Sequence, residues 1–87
     1  MRKPFMAGNW KMNLLTGESR KLVQQLKADL SRVNDVEVAV FPTLASVAVV
    51  IEALRGTAIA VGVQNCHWEK SGAFTGELSA EMIRDMG

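Results

Sequence analysis

Apolar positions along the chain alternate between compact runs and helical spacing. Phe5, Met6 and Ala7 form a run just after Pro4, a residue tolerated at the beginning of a strand, and predict a first strand over residues 4–11. Leu22, Val23, Leu26, Leu30 and Val33 then recur as one helical stripe. Thr16 has the side chain of an N-cap for that helix, Glu18 complements the positive end of its dipole, and Asn34 with Asp35 ends it. Residues 36–41 are β-branched or aromatic apart from Glu37 and Ala39, which suits a strand buried on both faces of a parallel sheet, and Pro42 stops it. Thr43 caps a second predicted helix with Leu44, Val47, Val50, Ile51 and Leu54 at helical spacing, and Gly56 supplies a left-handed exit. A third strand is predicted over 59–64. Residues 65–78 have little periodicity and read as a long loop, a kind of segment that usually carries function. Ser79 caps a last helix with Met82, Ile83 and Met86 on its apolar side and Gly87 at its exit. A fourth strand is expected next, so the chain reads as cut off there.

Strand and helix therefore alternate three times, which predicts an α/β fold with a parallel sheet and crossover helices. A doubly wound nucleotide fold normally places a glycine-rich turn after its first strand. The turn here reads Gly8-Asn9-Trp10-Lys11-Met12-Asn13 and contains no G-x-G-x-x-G. That favours a (β/α)8 TIM barrel, of which residues 1–87 supply the first three βα units, about a third of a barrel of ~250 residues. All of the chain is then the N-terminal part of one domain, with open strand edges and a predisposition to aggregate in isolation.

Composition narrows the function classes. The 87 residues are 48% hydrophobic and 22% charged, outside the disordered range. Ten Lys and Arg stand against nine Asp and Glu, scattered between apolar residues, so nucleic acid is not an expected partner. The longest apolar tract, residues 44–54, falls short of the roughly 20 residues of a membrane helix and is broken by Ser46 and Glu52. No membrane association and no export signal are expected. Cys66 is the sole cysteine and cannot form an internal disulfide, which suits a cytoplasmic location.

Candidate chemistry gathers at two places. Alternation along an extended segment puts Asn9 and Lys11 on one face at the end of the first strand and Trp10 on the other. Lys11 offers an ammonium suited to a phosphate or a developing oxyanion, and Asn9 offers an amide that can donate to a carbonyl or hydroxyl oxygen. The bland alternative is a solvated lysine and a turn-capping asparagine. Cys66, His67 and Glu69 lack zinc-ligand spacing, so no metal is expected, and Cys66 reads as structural and His67 as a surface residue. Trp10, Trp68, Met82 and Met86 read as packing residues. In the long loop, Gly72-Ala73-Phe74-Thr75-Gly76-Glu77 forms a small glycine-flanked tip, either shaped to enter a pocket elsewhere or simply a mobile surface loop.

The segment Gly8-Asn9-Trp10-Lys11-Met12-Asn13 resembles the opening active-site segment of the triosephosphate isomerase family. Gln64-Asn65 followed by Gly72-Ala73-Phe74-Thr75-Gly76-Glu77 resembles the same family's third loop. Both matches occur in the family's order, joined by βα units of compatible length, so the resemblance covers essentially the whole chain.

That resemblance implies an isomerase that interconverts dihydroxyacetone phosphate and D-glyceraldehyde 3-phosphate through an enediolate, in glycolysis and gluconeogenesis, without cofactor or metal. The family is itself a standard example of environment-tuned acid and base groups. By motif, Lys11 and Asn9 become the catalytic and substrate-binding candidates. Lys11 offsets phosphate and enediolate charge, and Asn9 positions substrate oxygens. The family's third loop docks into a second subunit, which makes Thr75, Phe74, Glu77, Gln64 and Asn65 candidates for a homodimer contact through residues 65–78. Thr75 is the foremost of these, its short hydroxyl able to brace a neighbour's polar groups. The family's histidine follows the fourth strand in a Gly-His-Ser-Glu segment and its glutamate follows the sixth. His67, Glu69 and Glu77 match neither motif, so the segment is expected to hold part of a binding site without the acid–base pair. The alternative from another class is a non-catalytic α/β phosphate-binding or assembly module.

Overall fold

The computed structural model describes residues 2–87. Three strands, β1 (Phe5–Asn9), β2 (Glu37–Phe41) and β3 (Ala60–Val61), alternate with three helices, α1 (Thr16–Asp29), α2 (Leu44–Ala53) and α3 (Ala80–Met86). The strands form one parallel sheet in the order β1-β2-β3. Gly8 lies opposite Val40, and Val40 opposite Val61. Since side chains alternate along each strand, this register puts Met6, Gly8, Val38, Val40 and Val61 on one face and Phe5, Ala7, Asn9, Glu37, Ala39, Phe41 and Ala60 on the other.

The first of these faces carries the helices. Val40 packs with Val23 of α1, Val50 of α2 and Leu54, all at most 3% exposed, and Trp10, Leu26, Ile59 and Val61 close around them. Each of the four buried side chains contributes about 2 kcal/mol by leaving water. Between the helices the packing is close enough to bury Ser19 and Ser46, whose hydroxyls satisfy each other at 3.2 Å. The opposite face carries no helix among the described residues, and Phe5 is 57% exposed on it.

Several boundaries differ from the sequence expectation, each for a local reason. The first strand ends at Asn9 instead of Lys11, because Lys11 adopts φ 56 and leaves the extended region. Leu15, not Thr16, occupies the N-cap of α1. A leucine has no acceptor, and the end is secured instead by Glu18, whose Oε1 accepts from the Leu15 N–H at 2.9 Å. That helix stops at Asp29, short of Val33. Leu30 takes the C-cap, the Val33 N–H turns back to the Leu30 carbonyl at 3.0 Å, and Val33 is left 38% exposed. Thr43 holds the N-cap of α2 without a side-chain hydrogen bond, whereas Ser79 Oγ accepts from the Met82 N–H at 3.2 Å in α3. The third strand is much shorter than 59–64, because only Ala60 and Val61 pair with β2, opposite Ala39 and Val40. Beyond Val61 its ladder ends with the Gly62 N–H on the Val40 carbonyl at 2.9 Å. Gly56 exits α2 with φ 83, as a residue without Cβ does readily.

Candidate functional site

At the C-terminal ends of the strands, Asn9, Phe41 and Gln64 stand side by side, and Lys11 is held against them. The chain leaves β1 with the Trp10 N–H donating to the Phe41 carbonyl at 3.1 Å, while the Trp10 ring turns onto the helix-facing core. Lys11 then enters the left-handed region, which costs a side chain with a Cβ about 1–2 kcal/mol. Leu14 does the same at φ 73, so the loop between β1 and α1 contains two such residues.

Side chains brace this loop from three directions. Asn9 Oδ1 accepts the Lys11 N–H at 2.9 Å, Asn13 Nδ2 donates to the Trp10 carbonyl at 2.8 Å, and Gln64 Nε2 donates to the Lys11 carbonyl at 2.8 Å. The same Gln64 nitrogen also donates to the Phe41 carbonyl at 2.9 Å. Asn9 and Lys11 are thus brought together, but through a turn closed by the Asn9 side chain and not through strand alternation, because the strand has already ended. Both are exposed. With its Oδ1 accepting the Lys11 backbone N–H, the Asn9 amide keeps Nδ2 as a donor, and the two exposed residues together carry an ammonium and an amide donor, groups suited to an oxygen anion.

The long loop forms a second unit. The Glu77 N–H donates to the Phe74 carbonyl at 3.1 Å, closing a turn with Thr75 and Gly76 at its centre. Gly76 has φ 86, the value a type II turn requires at its third residue and one that residues with a Cβ resist. Thr75 is therefore carried at an exposed tip, next to Phe74 at 43% exposure. At the base, the His67 N–H donates to the Leu78 carbonyl at 2.8 Å and His67 pairs with Ser79 as an isolated parallel bridge.

His67 is not the surface residue expected from sequence. Its ring packs between Trp68 and Phe74, with centroids 4.2 Å from each, and its Nε2 is buried without a partner among the described residues. The cause is tertiary, since folding of the loop brings Phe74 onto the His67 ring. Cys66 is exposed instead of packed, with Sγ 3.5 Å from the His67 carbonyl. Trp68 stacks on His67 yet stays 85% exposed, and Trp10 packs on the core. Among the described residues, no three of His, Cys, Asp and Glu gather closely enough to hold a metal ion, and no helix is long and apolar enough to cross a membrane. Asn65, Gln64 and Glu77 line a cavity of about 150 Å³ with Leu44 and Leu78 between α2 and the loop. The Gln64 link to Lys11 has no signal in the sequence, since the two residues lie 53 positions apart and the bond joins a side chain to a backbone carbonyl.

A parallel sheet with helices between its strands and polar residues collected at the C-terminal strand ends defines an α/β protein whose site lies where such folds place their chemistry. Three strands in this order are shared by a barrel and by half of a doubly wound sheet, so relatives decide between the two. The family profile described as triosephosphate isomerase matches residues 4–87. Triosephosphate isomerases from Carboxydothermus hydrogenoformans and Alkaliphilus oremlandii are 51% and 47% identical to it over all 87 residues, which cover 35% of each of those proteins. That of Syntrophotalea carbinolica is 46% identical over the same span, 34% of its length. The chain belongs to the triosephosphate isomerase family, and its three βα units fit the first units of that family's TIM barrel. It spans about a third of the length of these relatives.

Proposed function

We propose that residues 1–87 are the N-terminal part of a single barrel domain that interconverts dihydroxyacetone phosphate and D-glyceraldehyde 3-phosphate. The reading assigns the chain to glycolysis and gluconeogenesis in the cytoplasm. The observation that carries it is Lys11, held in a left-handed turn at the end of β1 with its N–H on Asn9, inside the segment that resembles the family's active site. Removing a proton beside the substrate carbonyl leaves an enediolate whose oxygens carry negative charge. The Lys11 ammonium offsets that charge together with the charge of the phosphate, and the Asn9 Nδ2 orients the oxygens. Acid and base groups come from elsewhere in the complete barrel, and the chemistry uses no metal or organic cofactor.

The same reading makes residues 65–78 the contact of a homodimer. Thr75 and Phe74 at the tip enter the second subunit, and Glu77, Gln64 and Asn65 flank the loop's base. Support comes from the ordered turn at the tip and the exposure of both tip side chains, which present a shaped surface at little further entropic cost.

The test joins residues 1–87 to the remaining part of the Carboxydothermus hydrogenoformans relative and assays isomerisation in both directions. This completed barrel is expected to turn over and to lose activity when Lys11 is replaced by Met, whereas the 87-residue chain alone is expected to be inactive. A folded completed barrel without activity rejects the reading.

A further inference from the structure

We infer that the cavity between the C-terminal ends of α1 and α2 binds a small amphipathic anion, an aliphatic carboxylate whose chain enters the cavity and whose headgroup meets Lys27. The cavity measures about 330 Å³ and lies at the N-terminal ends of β2 and β3, the opposite end of the sheet from Lys11. Its lining comes from residues 27–59 alone, in α1, β2 and the connections that follow α1 and α2. Since β2 is the central strand, paired on both sides, neighbouring segments bound the cavity and the sheet's open edges do not. The inference rests on this packing and is independent of the isomerase reading.

The early end of α1 creates the space. Val38 lies on the helix-facing side of β2, and a helix running on to Val33 would cover it. Instead α1 stops at Asp29 and the chain turns back between Leu30 and Val33, which leaves Leu30, Val36, Val38 and Ile59 only partly buried and Val33 38% exposed around an unfilled space. Interiors keep few voids larger than a water molecule, and this one reaches the roughly 300–1,000 Å³ of small-molecule sites. Of the lining side chains, only Lys27 keeps free donors. Ser31 Oγ donates to the Ala28 carbonyl at 3.2 Å, and Thr57 Oγ1 donates to the Leu54 carbonyl at 2.7 Å and accepts the Ile59 N–H at 3.2 Å. With the Val33 N–H on the Leu30 carbonyl, these bonds also occupy carbonyls at the two helix ends, groups that otherwise favour a cation. Lys27, exposed in the last turn of α1, is the one charged residue of the lining, and neither ion pair among the described residues involves it. Apolar walls with a single ammonium at the rim select an apolar chain that ends in one negative charge.

The experiment titrates octanoate into the completed barrel described above by isothermal titration calorimetry, with inorganic phosphate in excess to occupy an anion site at Lys11. Saturable binding is expected with a dissociation constant on the order of 1 mM or tighter, weakening about twofold to fourfold for each methylene removed from the chain. Lys27→Met keeps the apolar stem and removes the charge. It is expected to weaken octanoate about twofold to fivefold, the range of an exposed ion pair, and to leave the binding of octanol unchanged. Val36→Phe fills the cavity and is expected to abolish binding of both compounds. Ser31→Phe, at an exposed position of the same wall, is a second plug should the first fail to fold. Octanoate that does not saturate, that phosphate displaces, or that still binds a folded plugged variant overturns the proposal, as does octanol bound as tightly as octanoate. A folded barrel that binds octanoate as described but does not isomerise triose phosphates overturns the isomerase reading alone, and one that isomerises without binding octanoate overturns this inference alone.

Discussion

Asn9 Oδ1 accepts the Lys11 N–H at 2.9 Å across the single residue, Trp10, that turns into the core. This one bond has two consequences. It fixes which end of the Asn9 amide is spent on the protein, and it leaves the Nδ2 for an oxygen outside. The two atoms of the amide can therefore be tested separately.

Asn9→Asp keeps an acceptor for the Lys11 N–H, removes the outward donor and adds a negative charge. In the completed barrel this variant is expected to keep the fold and lose about tenfold or more in kcat/KM, the scale of one hydrogen bond to a charged group. Asn9→Ala removes both functions and is expected to be worse. Steady-state kinetics with both triose phosphates checks the order. An Asp variant as active as the native protein rejects the role of Nδ2.

Replacing Lys11 separates stability from activity. Glycine tolerates φ 56, which removes the left-handed penalty, although its freer unfolded chain takes back part of the gain. Lys11→Gly is expected to be about 0.5–1 kcal/mol more stable in urea denaturation. On the proposed isomerase reading its barrier to isomerisation is expected to rise by several kcal/mol, the cost of removing the charge proposed to meet the enediolate. A Lys11→Gly variant no more stable than Lys11→Met, which keeps the Cβ, contradicts the strain argument.

What sequence reveals and what it hides divide cleanly here. The order of elements, the parallel sheet and the core positions Val23, Val40, Val50 and Leu54 follow from periodicity, which is a local property of the chain. Ser79 is legible as a cap because its hydroxyl meets a backbone N–H three residues away. Thr16 misleads because Leu15 takes the cap position, and the helix start is held by Glu18 Oε1 accepting the Leu15 N–H instead of by a hydroxyl accepting first-turn amides. The end of α1 at Asp29, the short β3 and the burial of His67 Nε2 depend on tertiary neighbours that no spacing encodes. At the site, motif identifies Asn9 and Lys11, but the backbone turn that joins them appears only with the structure. Alternation, the argument that first paired them, fails where the strand stops.

Burial predicts which apolar side chains matter to stability. Val50 is fully buried between α2 and the sheet, and Val50→Ala is expected to cost about 2 kcal/mol from lost transfer and an unfilled cavity. Met6 lies on the same helix-facing side of the sheet but is 58% exposed at its edge, so Met6→Ala in this chain is expected to cost well under half as much. Urea denaturation followed by circular dichroism measures both. Equal losses at the two positions mean that β1 is covered in solution by something that buries Met6.

Assembly is the last relationship open to test, and two glycines make the comparison. Gly17 sits in α1 with nothing within 4 Å of where a Cβ would be, so Gly17→Ala is expected to raise stability by up to about 1 kcal/mol through helix propensity. Gly76 also has open space around it, but its φ of 86 strains any residue with a Cβ and disfavours the turn that carries Thr75. If the tip of residues 65–78 docks into a second subunit, Gly76→Ala must reorder that turn at each binding event. Its dimer dissociation constant is expected to rise about fivefold to thirtyfold, the equivalent of about 1–2 kcal/mol. Sedimentation velocity of the completed barrel over a concentration series reads this directly. Association weakened by Gly76→Ala but unchanged by Gly17→Ala assigns the contact to the tip, whereas equal association in both variants places the dimer surface elsewhere.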